Sequence, residues 1–466
     1  MNRLFLHVLA TTLLVLSWPA SADERPNIVF FLVDDQRNTT LGVAGDPYAN
    51  TPTIDALARN GVRFRNAYVT TSICAASRAS ILTGLYERTH GYTFGEEPVA
   101  GAFVRGSYPA RLRATGYRTG FFGKFGVRIE SDPKEAMFDA FSRRDRPYLR
   151  EQDDGTLRHI DEMNTEEAVA FLQTCSTDQL FCLSISFSSA HAEDRDLENH
   201  FPHIPAVDGM YADTEIAPPR LGAPEIFALH PDFLKRSMNR DRYFWRWDTP
   251  AKYQKNMRGY YRLIAGVDVM MRRVLDALEA RGLAENTVIV YSADNGYYMG
   301  DRGFAGKWSH YEESLRVPLI VFDPRIPETK RGRVVDAIAL NIDLPATFLD
   351  LAGGAQPDHY QGRRLAPLLQ GDTRADRRTD FFVEHRMRHE KIPTWEGVRG
   401  KRYVYARYDG QSPPYEFLHD LQTDPDQLRN LVNDPARAAI LERLRLRCDT
   451  LRNGYIADRN HGNPDE

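Results

Sequence analysis

Cysteine is scarce: only Cys74, Cys175, Cys182 and Cys448 occur in 466 residues. So few exclude a disulfide-stapled scaffold. Cys175 and Cys182, in "CSTDQLFC", stand close enough in sequence to pair in an oxidising compartment, and the sequence leaves that pairing open. An excess of one charge is lacking too, with 60 basic against 64 acidic residues and a net charge of −4. This balance excludes a polybasic nucleic-acid or membrane-surface protein, so no nucleic-acid partner is expected. An anionic ligand therefore requires a local cationic pocket. Long apolar runs are missing beyond the N-terminus, as are repeats and low-complexity segments.

The chain begins "MNRLFLHVLATTLLVLSWPASA". Arg3 gives a positive start, residues 4–16 a short apolar stretch, and Ala20-Ser21-Ala22 a small-residue cleavage site. Residues 1–22 read as a secretory signal. No cysteine follows it for lipid attachment, so the expected product is secreted or periplasmic, freed near Ala22, without a membrane anchor.

Hydrophobic residues make up 42% of the chain, enough for one large core and a smaller unit. Continuous apolar runs at 26–35, 116–124, 181–189, 287–296 and 317–324 predict strands buried on both faces. Helical stretches at 53–61, 78–86, 163–175 and 253–282 lie between them. This alternation predicts an α/β domain, a mixed sheet sandwiched by helices. Residues 193–250 hold prolines, aromatics and charges without a period, and read as a long insertion over the site. From about 380 the pattern changes to short strands, "DFFVEH", "GKRYVYARY" and "YEFLHDL", followed by a closing helix. The expected organisation is a signal at 1–22, a catalytic domain at 23–379 and an α+β subdomain of antiparallel sheet plus helix at 380–466.

Several predicted strands end in polar groups. The first ends in Asp34-Asp35, the second in Lys124, the third near His191 and the fourth in Asp294-Asn295. Ligands of open α/β sheets bind beyond the carboxyl ends of strands, so these residues read as one site. Asp34, Asp35, Asp294 and Asn295 offer hard oxygen ligands for Ca²⁺ or Mg²⁺. An Asp pair after a strand also serves as a turn or helix cap. Lysine is seldom buried without a partner, so Lys124 closing "TGFFGK" points to an anion. Lys307 and His191 each have an ordinary reading, a solvated loop lysine and a hydrogen-bonding histidine. Cys74 stands four residues before Arg78 in "TTSICAASRASILTGLY", and a helix from about Ser77 sets position 74 near its positive N-terminus.

These residues resemble the type I sulfatases, of alkaline phosphatase-like α/β fold, over about 26–432. "CAASRASILTGLY" is similar to the sulfatase signature C-x-(P/A)-x-R, "PNIVFFLVDDQ" to the opening metal-binding strand, and "SADNGYYMGDRGFAGKWSHYEESLRVPLIVFDP" to the segment carrying further ligands and a lysine. The resemblance implies that a sulfatase-maturing enzyme oxidises Cys74 to formylglycine, whose hydrate attacks sulfur of a sulfate ester. It also implies a divalent cation, usually Ca²⁺, on Asp34, Asp35, Asp294, Asn295 and residue 74. Arg78 would orient the hydrate, Lys124 and Lys307 would bind sulfate oxygens, and His191 with Lys307 would help protonate the leaving alcohol. Three positions depart from the common pattern. Ala76 replaces a frequent proline, Ala190 another, and Gly126 stands where many relatives carry a histidine that aids sulfate release. His90, His200 and His203 are alternative substitutes for that histidine.

The segment after Asp294 looks closer to sulfatases of sulfated sugars than to aryl-sulfate enzymes. The implied substrate is a sulfated polysaccharide or its oligosaccharides, with His385 and Arg399 as candidate sugar contacts. A phosphatase or phosphodiesterase of the same fold is the first rival, and Cys74 with a single carboxylate-rich metal set disfavours it. A non-catalytic glycan-binding protein is the second, motivated by Ala76 and Gly126.

Overall fold

The computed structural model describes residues 25–372, 374 and 378–461. The expected secretory signal at 1–22 lies outside them. Fourteen strands are described: β1 Asn27–Val33, β2 Val62–Tyr68, β3 Arg118–Gly123, β4 Ala140–Ser142, β5 Leu149–Glu151, β6 Leu157–His159, β7 Phe181–Ser186, β8 Thr287–Ala293, β9 Leu319–Phe322, β10 Arg333–Leu340, β11 Asp380–His385, β12 Trp395–Gly400, β13 Tyr403–Tyr408 and β14 Tyr415–Asp420.

Eight of them form one sheet in the order β10-β2-β9-β8-β1-β7-β3-β4. β1 lies at its centre, parallel to β7 and β8, and every residue from Asn27 to Val33 is buried. That explains its unbroken apolar sequence, since neither face meets water. β9 is antiparallel to both β2 and β8, which makes the sheet mixed. Helices cover both faces. Helix α1 (Pro52–Asn60), Ile160–Gln173 and the long Pro250–Ala280 pack on one another, while α2 (Cys74–Thr83), Tyr108–Ala114 and Asp343–Leu351 form the other layer. The Thr249 side chain caps the long helix by accepting from Lys252 N.

β11, β12, β13 and β14 form a second, antiparallel sheet, which the helix Ala438–His461 closes. β12 carries no long apolar run, and Gly397 explains part of its composition. A Cβ there would meet the Tyr405 carbonyl oxygen at 2.1 Å. The two sheets are stitched beside α2, where Glu384 N donates to Thr70 O at 3.0 Å.

Arg378, just before β11, grips Asp343 with both terminal nitrogens, at 2.5 and 2.8 Å. The same carboxylate accepts from Leu340 N and Arg363 N at 2.8 and 2.7 Å. Arg378→Ala leaves that buried carboxylate without its counter-ion. It is expected to cost about 3–5 kcal/mol, read as a lower urea midpoint at unchanged slope.

Candidate active site

α2 begins at Cys74 itself, three residues earlier than the sequence pattern implies, because Ile73 is the extended cap and Gly84 ends the helix in a left-handed turn. Position 74 thus belongs to the first helical turn. Cys74 is buried with a small part of its surface open to a cavity of about 480 Å³. Ala76 packs beneath that opening with Ile73, Trp308, Met387 and Ile392. All four cysteines are free thiols, Cys175 and Cys182 included.

The strand ends converge here. Consecutive side chains of a strand point to opposite faces, but the chain turns at Asp35, whose φ is 54°. Asp34 accepts from Lys124, and Arg78 NH2 lies 3.5 Å away. Asp35 accepts from Lys307 and, at 2.6 Å, from Asn295 Nδ2. Asp294 accepts from Arg78 Nε at 2.8 Å and from Asp35 N at 3.2 Å. Three cations and three carboxylates therefore balance inside a buried cluster.

Burial works against the Asp34 charge, yet Lys124, Lys307 and Arg78 outweigh it and hold the carboxyl below its usual range. Burial, reinforced by Asp34, raises Asp35 despite Lys307 and lifts Asp294 to about 6 despite Arg78. Burial also opposes the charges on Lys124 and Lys307, but Asp34 and Asp35 respectively keep both ammonium groups protonated.

His191 follows β7 on a loop that Asp161 fixes, accepting from Ser188 N and Ser189 N at 2.8 and 2.9 Å. Its Nδ1 lies 2.6 Å from the Ala192 carbonyl and 2.9 Å from an Arg146 guanidinium nitrogen, and Nε2 faces Asp35 Oδ2 at 3.7 Å. Burial, then Lys307, Lys124 and Arg146, keep this imidazole neutral. Ala190 N donates to Asp34 O at 2.7 Å, a bond that a proline could not make.

Asp34 Oδ1, Asp35 Oδ2 and Asn295 Oδ1 are buried acceptors without a donor. Ligand atoms of Asp34, Asp35 and His191 lie within 4.8 Å of one another. Unpaired buried oxygens of this kind fit a hard divalent cation. The chemistry of the donor set thus accommodates a metal.

Gly126 occupies φ 69°, and a Cβ there would come 3.0 Å from Arg78 Cδ. The glycine leaves room for the arginine that reaches Asp294. His90, His200 and His203 do not line the cavity; His90 Nε2 instead lies 3.1 Å from Ser80 Oγ. The titratable groups that do line it include Tyr148, whose hydroxyl is 3.2 Å from His191 Nδ1, and His389.

Two expected sugar contacts lie elsewhere. His385 is wholly buried in β11, and burial pushes its pKa down to about 3. Arg399 is bonded to Glu312 and to the Tyr68 hydroxyl. Neither lines the cavity, which corrects the expectation, because the alternating strand faces turn both side chains into the packing between the sheets. Met387 and His389, on the turn after β11, do line it, as do Arg146 and Tyr148 from the "RRDRPYLRE" stretch and Met238 and Arg242 from the insertion. The sequence around these residues has no period, only dense charge, so nothing marked them out.

A buried carboxylate cluster with unpaired oxygens, beneath Cys74 at the start of α2 and flanked by two lysines, defines a hydrolase acting on esters of a tetrahedral oxyanion. Known proteins narrow the class. The profile of the family described as sulfatase matches residues 26–355, and that of the N-sulphoglucosamine sulphohydrolase C-terminal region matches residues 300–454. The chain belongs to the sulfatase family and is a sulfuric ester hydrolase. An N-acetylglucosamine-6-O-sulfatase of Bacteroides thetaiotaomicron is 26% identical, with 88% of this chain and 83% of that protein aligned. An ulvan-active sulfatase of Formosa agariphila is 29% identical over 88% of this chain and 78% of its own. Among solved structures, an enzyme in complex with its substrate D-glucosamine-2-N,6-O-disulfate superposes with a TM-score of 0.77 at 24% identity, covering 95% of this chain and 99% of that one. A phosphonate monoester hydrolase from Silicibacter pomeroyi also reaches 0.77 at 24% identity, covering 92% and 96%. The fold alone is therefore shared between sulfate and phosphonate chemistry.

Proposed function

We propose that this chain removes sulfate from a sulfated polysaccharide or its oligosaccharides after Cys74 is oxidised to formylglycine by a sulfatase-maturing enzyme. The observation that carries this reading is the set of orphaned carboxylate and amide oxygens beside Cys74, Lys124 and Lys307. Asp34, Asp35, Asp294 and Asn295 would hold the cation, Ca²⁺ rather than Mg²⁺ as is usual in the family, together with the oxygen of residue 74. The hydrated aldehyde supplies the nucleophilic hydroxyl, and the metal supplies positive charge for the ester oxygens.

The rest is the work of this chain's own side chains. Lys124 and Lys307 are two ammonium groups held charged at the cavity floor, suited to sulfate oxygens. Arg78 ties α2 to β3 and β8, since it bonds Asp294 and, at 2.6 Å, the Lys124 carbonyl. That fixes residue 74 against the sulfate position. Nε2 of His191, which faces Asp35, would hold the proton passed to the leaving alcohol, while Nδ1 meets the Arg146 guanidinium and the Tyr148 hydroxyl, and Lys307 is its charge partner. Gly126 offers no imidazole for sulfate release, and Tyr148, whose hydroxyl is 3.2 Å from His191 Nδ1, is a cavity group placed to take part in its stead. The relatives acting on N-acetylglucosamine 6-sulfate and ulvan support a saccharide substrate.

We further propose a catalytic domain at 23–379, an α+β subdomain at 380–466, and export with cleavage near Ala22. Among the described residues no helix is long and apolar enough to cross a membrane. The test is a peptide mass spectrum across residues 70–91, after expression with a maturing enzyme. Conversion of the Cys74 CH₂–SH to CHO is expected, together with sulfate release from a sulfated sugar. A thiol that persists in fully active enzyme overturns the mechanism.

A further inference from the structure

Beside His191 the cavity wall carries cations that handling of the scissile sulfate does not use. Arg146 and Arg242 both line the cavity and meet at Asp194 Oδ2, at 3.3 and 2.7 Å. Arg246, wholly buried, takes Asp194 Oδ1. Glu193 supplies one more carboxylate, 3.6 Å from Arg146 Nε. Three guanidinium groups thus share two carboxylates, and one positive charge is left over. Burial opposes the Asp194 charge, but Arg242, Arg246 and Arg146 outweigh it and hold its pKa at about 2, so the carboxylate is ionised at any working pH.

One reading is purely architectural, with the arginines tying the insertion helix Met238–Arg246 to the loop after β7. That reading does not account for the unused donors. Arg242 Nε is buried without an acceptor. The Arg242 fork is otherwise spent on one bond to Asp194 and on the face of Trp308, 4.8 Å from the ring centre. Buried donors are costly to leave unmet, and a guanidinium fork matches a carboxylate or sulfate edge. Trp308 follows Lys307, and Arg146 NH2 lies 2.9 Å from His191 Nδ1, so these donors border the position of the scissile ester.

We infer that Arg146 and Arg242 form a second oxyanion subsite, and that the preferred substrate carries a second anionic group, a carboxylate or another sulfate, beside the ester that is cut. The inference rests on the sulfatase reading of the Cys74 centre and adds the charge pattern of its substrate. Arg242 is the residue to vary, since Arg146 also touches His191.

Two matched pairs of sugars separate the two sources of charge. Glucosamine 2-N,6-O-disulfate is set against N-acetylglucosamine 6-sulfate, and a hexuronate 2-sulfate against its methyl ester. Each is titrated calorimetrically into the Ca²⁺-loaded Cys74→Ala enzyme, which cannot turn over. At least one doubly charged member is expected to bind about tenfold or more tightly than its partner, as charge-assisted hydrogen bonds provide. Adding Arg242→Gln is expected to erase that preference and Arg242→Lys to restore part of it, with thermal melts confirming that both variants are folded. The responding pair identifies sulfate or carboxylate. Equal binding within both pairs, or a preference that survives Arg242→Gln, overturns the subsite. If the matured wild-type enzyme frees sulfate from none of these sugars or from a wider panel, the sulfatase reading fails, and the binding preference still decides the subsite separately.

Discussion

Lys307→Ala is expected to lower kcat/KM for a sulfate ester by about 10²–10³-fold, the scale of losing one preorganised charge at a reacting oxyanion. Its stability is expected to depend on Ca²⁺ in a way that its activity does not. Lys307 is 2% exposed and bonded to Asp35, and its main chain is clamped on both sides. Asn239 donates to its carbonyl at 2.6 Å, and Trp395 Nε1 donates to that of Trp308 at 2.8 Å. Removing the ammonium from the metal-free protein leaves Asp35 in the interior without its cation, at a cost of about 3–5 kcal/mol. A bound divalent cation takes over that role. At a hundred times its Kd it contributes roughly 2.7 kcal/mol to the wild type, and more to a variant whose carboxylate has no other partner. Melting with EDTA and with Ca²⁺ should therefore show a large defect without metal and a small one with it. Turnover should stay low in both, because the metal cannot replace an ammonium that binds the ester. A melting defect that ignores Ca²⁺, or a rate that recovers with it, would count against Asp35 as a ligand and Lys307 as a sulfate contact.

How much of this site is legible in the sequence follows from where its parts sit. Asp34, Lys124 and Asp294 directly follow strands buried on both faces, and His191 lies on the loop after a fourth, so their approach is announced by continuous apolar runs that give way to polar groups. Arg78 and Cys74 are readable from their spacing on one helix turn. β2 and β10 escape the same reading. β2 reads "VRFRNAY" with alternating burial, and β10 is exposed at alternate residues over its first half. Strands near a sheet edge have one wet face, which breaks the run.

The groups that would choose a substrate are still less visible. Arg146, Arg242 and His389 come from loops and the insertion, and only the fold brings them to one cavity. Conversely, His385 and Arg399 stand out as polar residues of the C-terminal strands, yet the packing between the sheets absorbs them. A charge at a strand end carries information about position, whereas a charge in an aperiodic segment carries none until the chain is folded.

Acidification is expected to unfold the junction behind the site well before the main sheet, because three histidines are buried there as neutral rings. His230 belongs to the insertion, His310 lies three residues after Lys307, and His419 lies on β14. Their Nδ1 atoms are partnered by the Tyr311 hydroxyl, the Tyr408 hydroxyl and the Arg429 carbonyl at 3.1, 2.9 and 3.0 Å. All three Nε2 atoms are buried without a partner. His310 and His419 stack with ring centres 5.6 Å apart, and Arg302, paired with Glu313 at 3.2 Å, faces the group. Burial is the main cause that lowers each pKa, to about 3 for His230, about 4 for His419 and well below 6.5 for His310, with Arg302 adding to all three. In the unfolded chain these rings protonate near 6.5. The unfolded state thus binds more protons below that pH, so stability is full above about 6.5 and falls as pH drops toward 3–4. Each histidine contributes on the order of 1.4 kcal/mol per pH unit across that window. The paired variant His310→Asn with His419→Asn keeps a side-chain amide near each Nδ1 position but cannot titrate. Its acid midpoint by circular dichroism should lie lower than that of the wild type, with a shallower slope between pH 6 and 4. An unchanged midpoint would mean that carboxylate protonation governs acid unfolding. The expected shift would instead locate the acid-labile joint at the segment that carries Lys307, so that activity is lost with the joint rather than with titration of the catalytic groups.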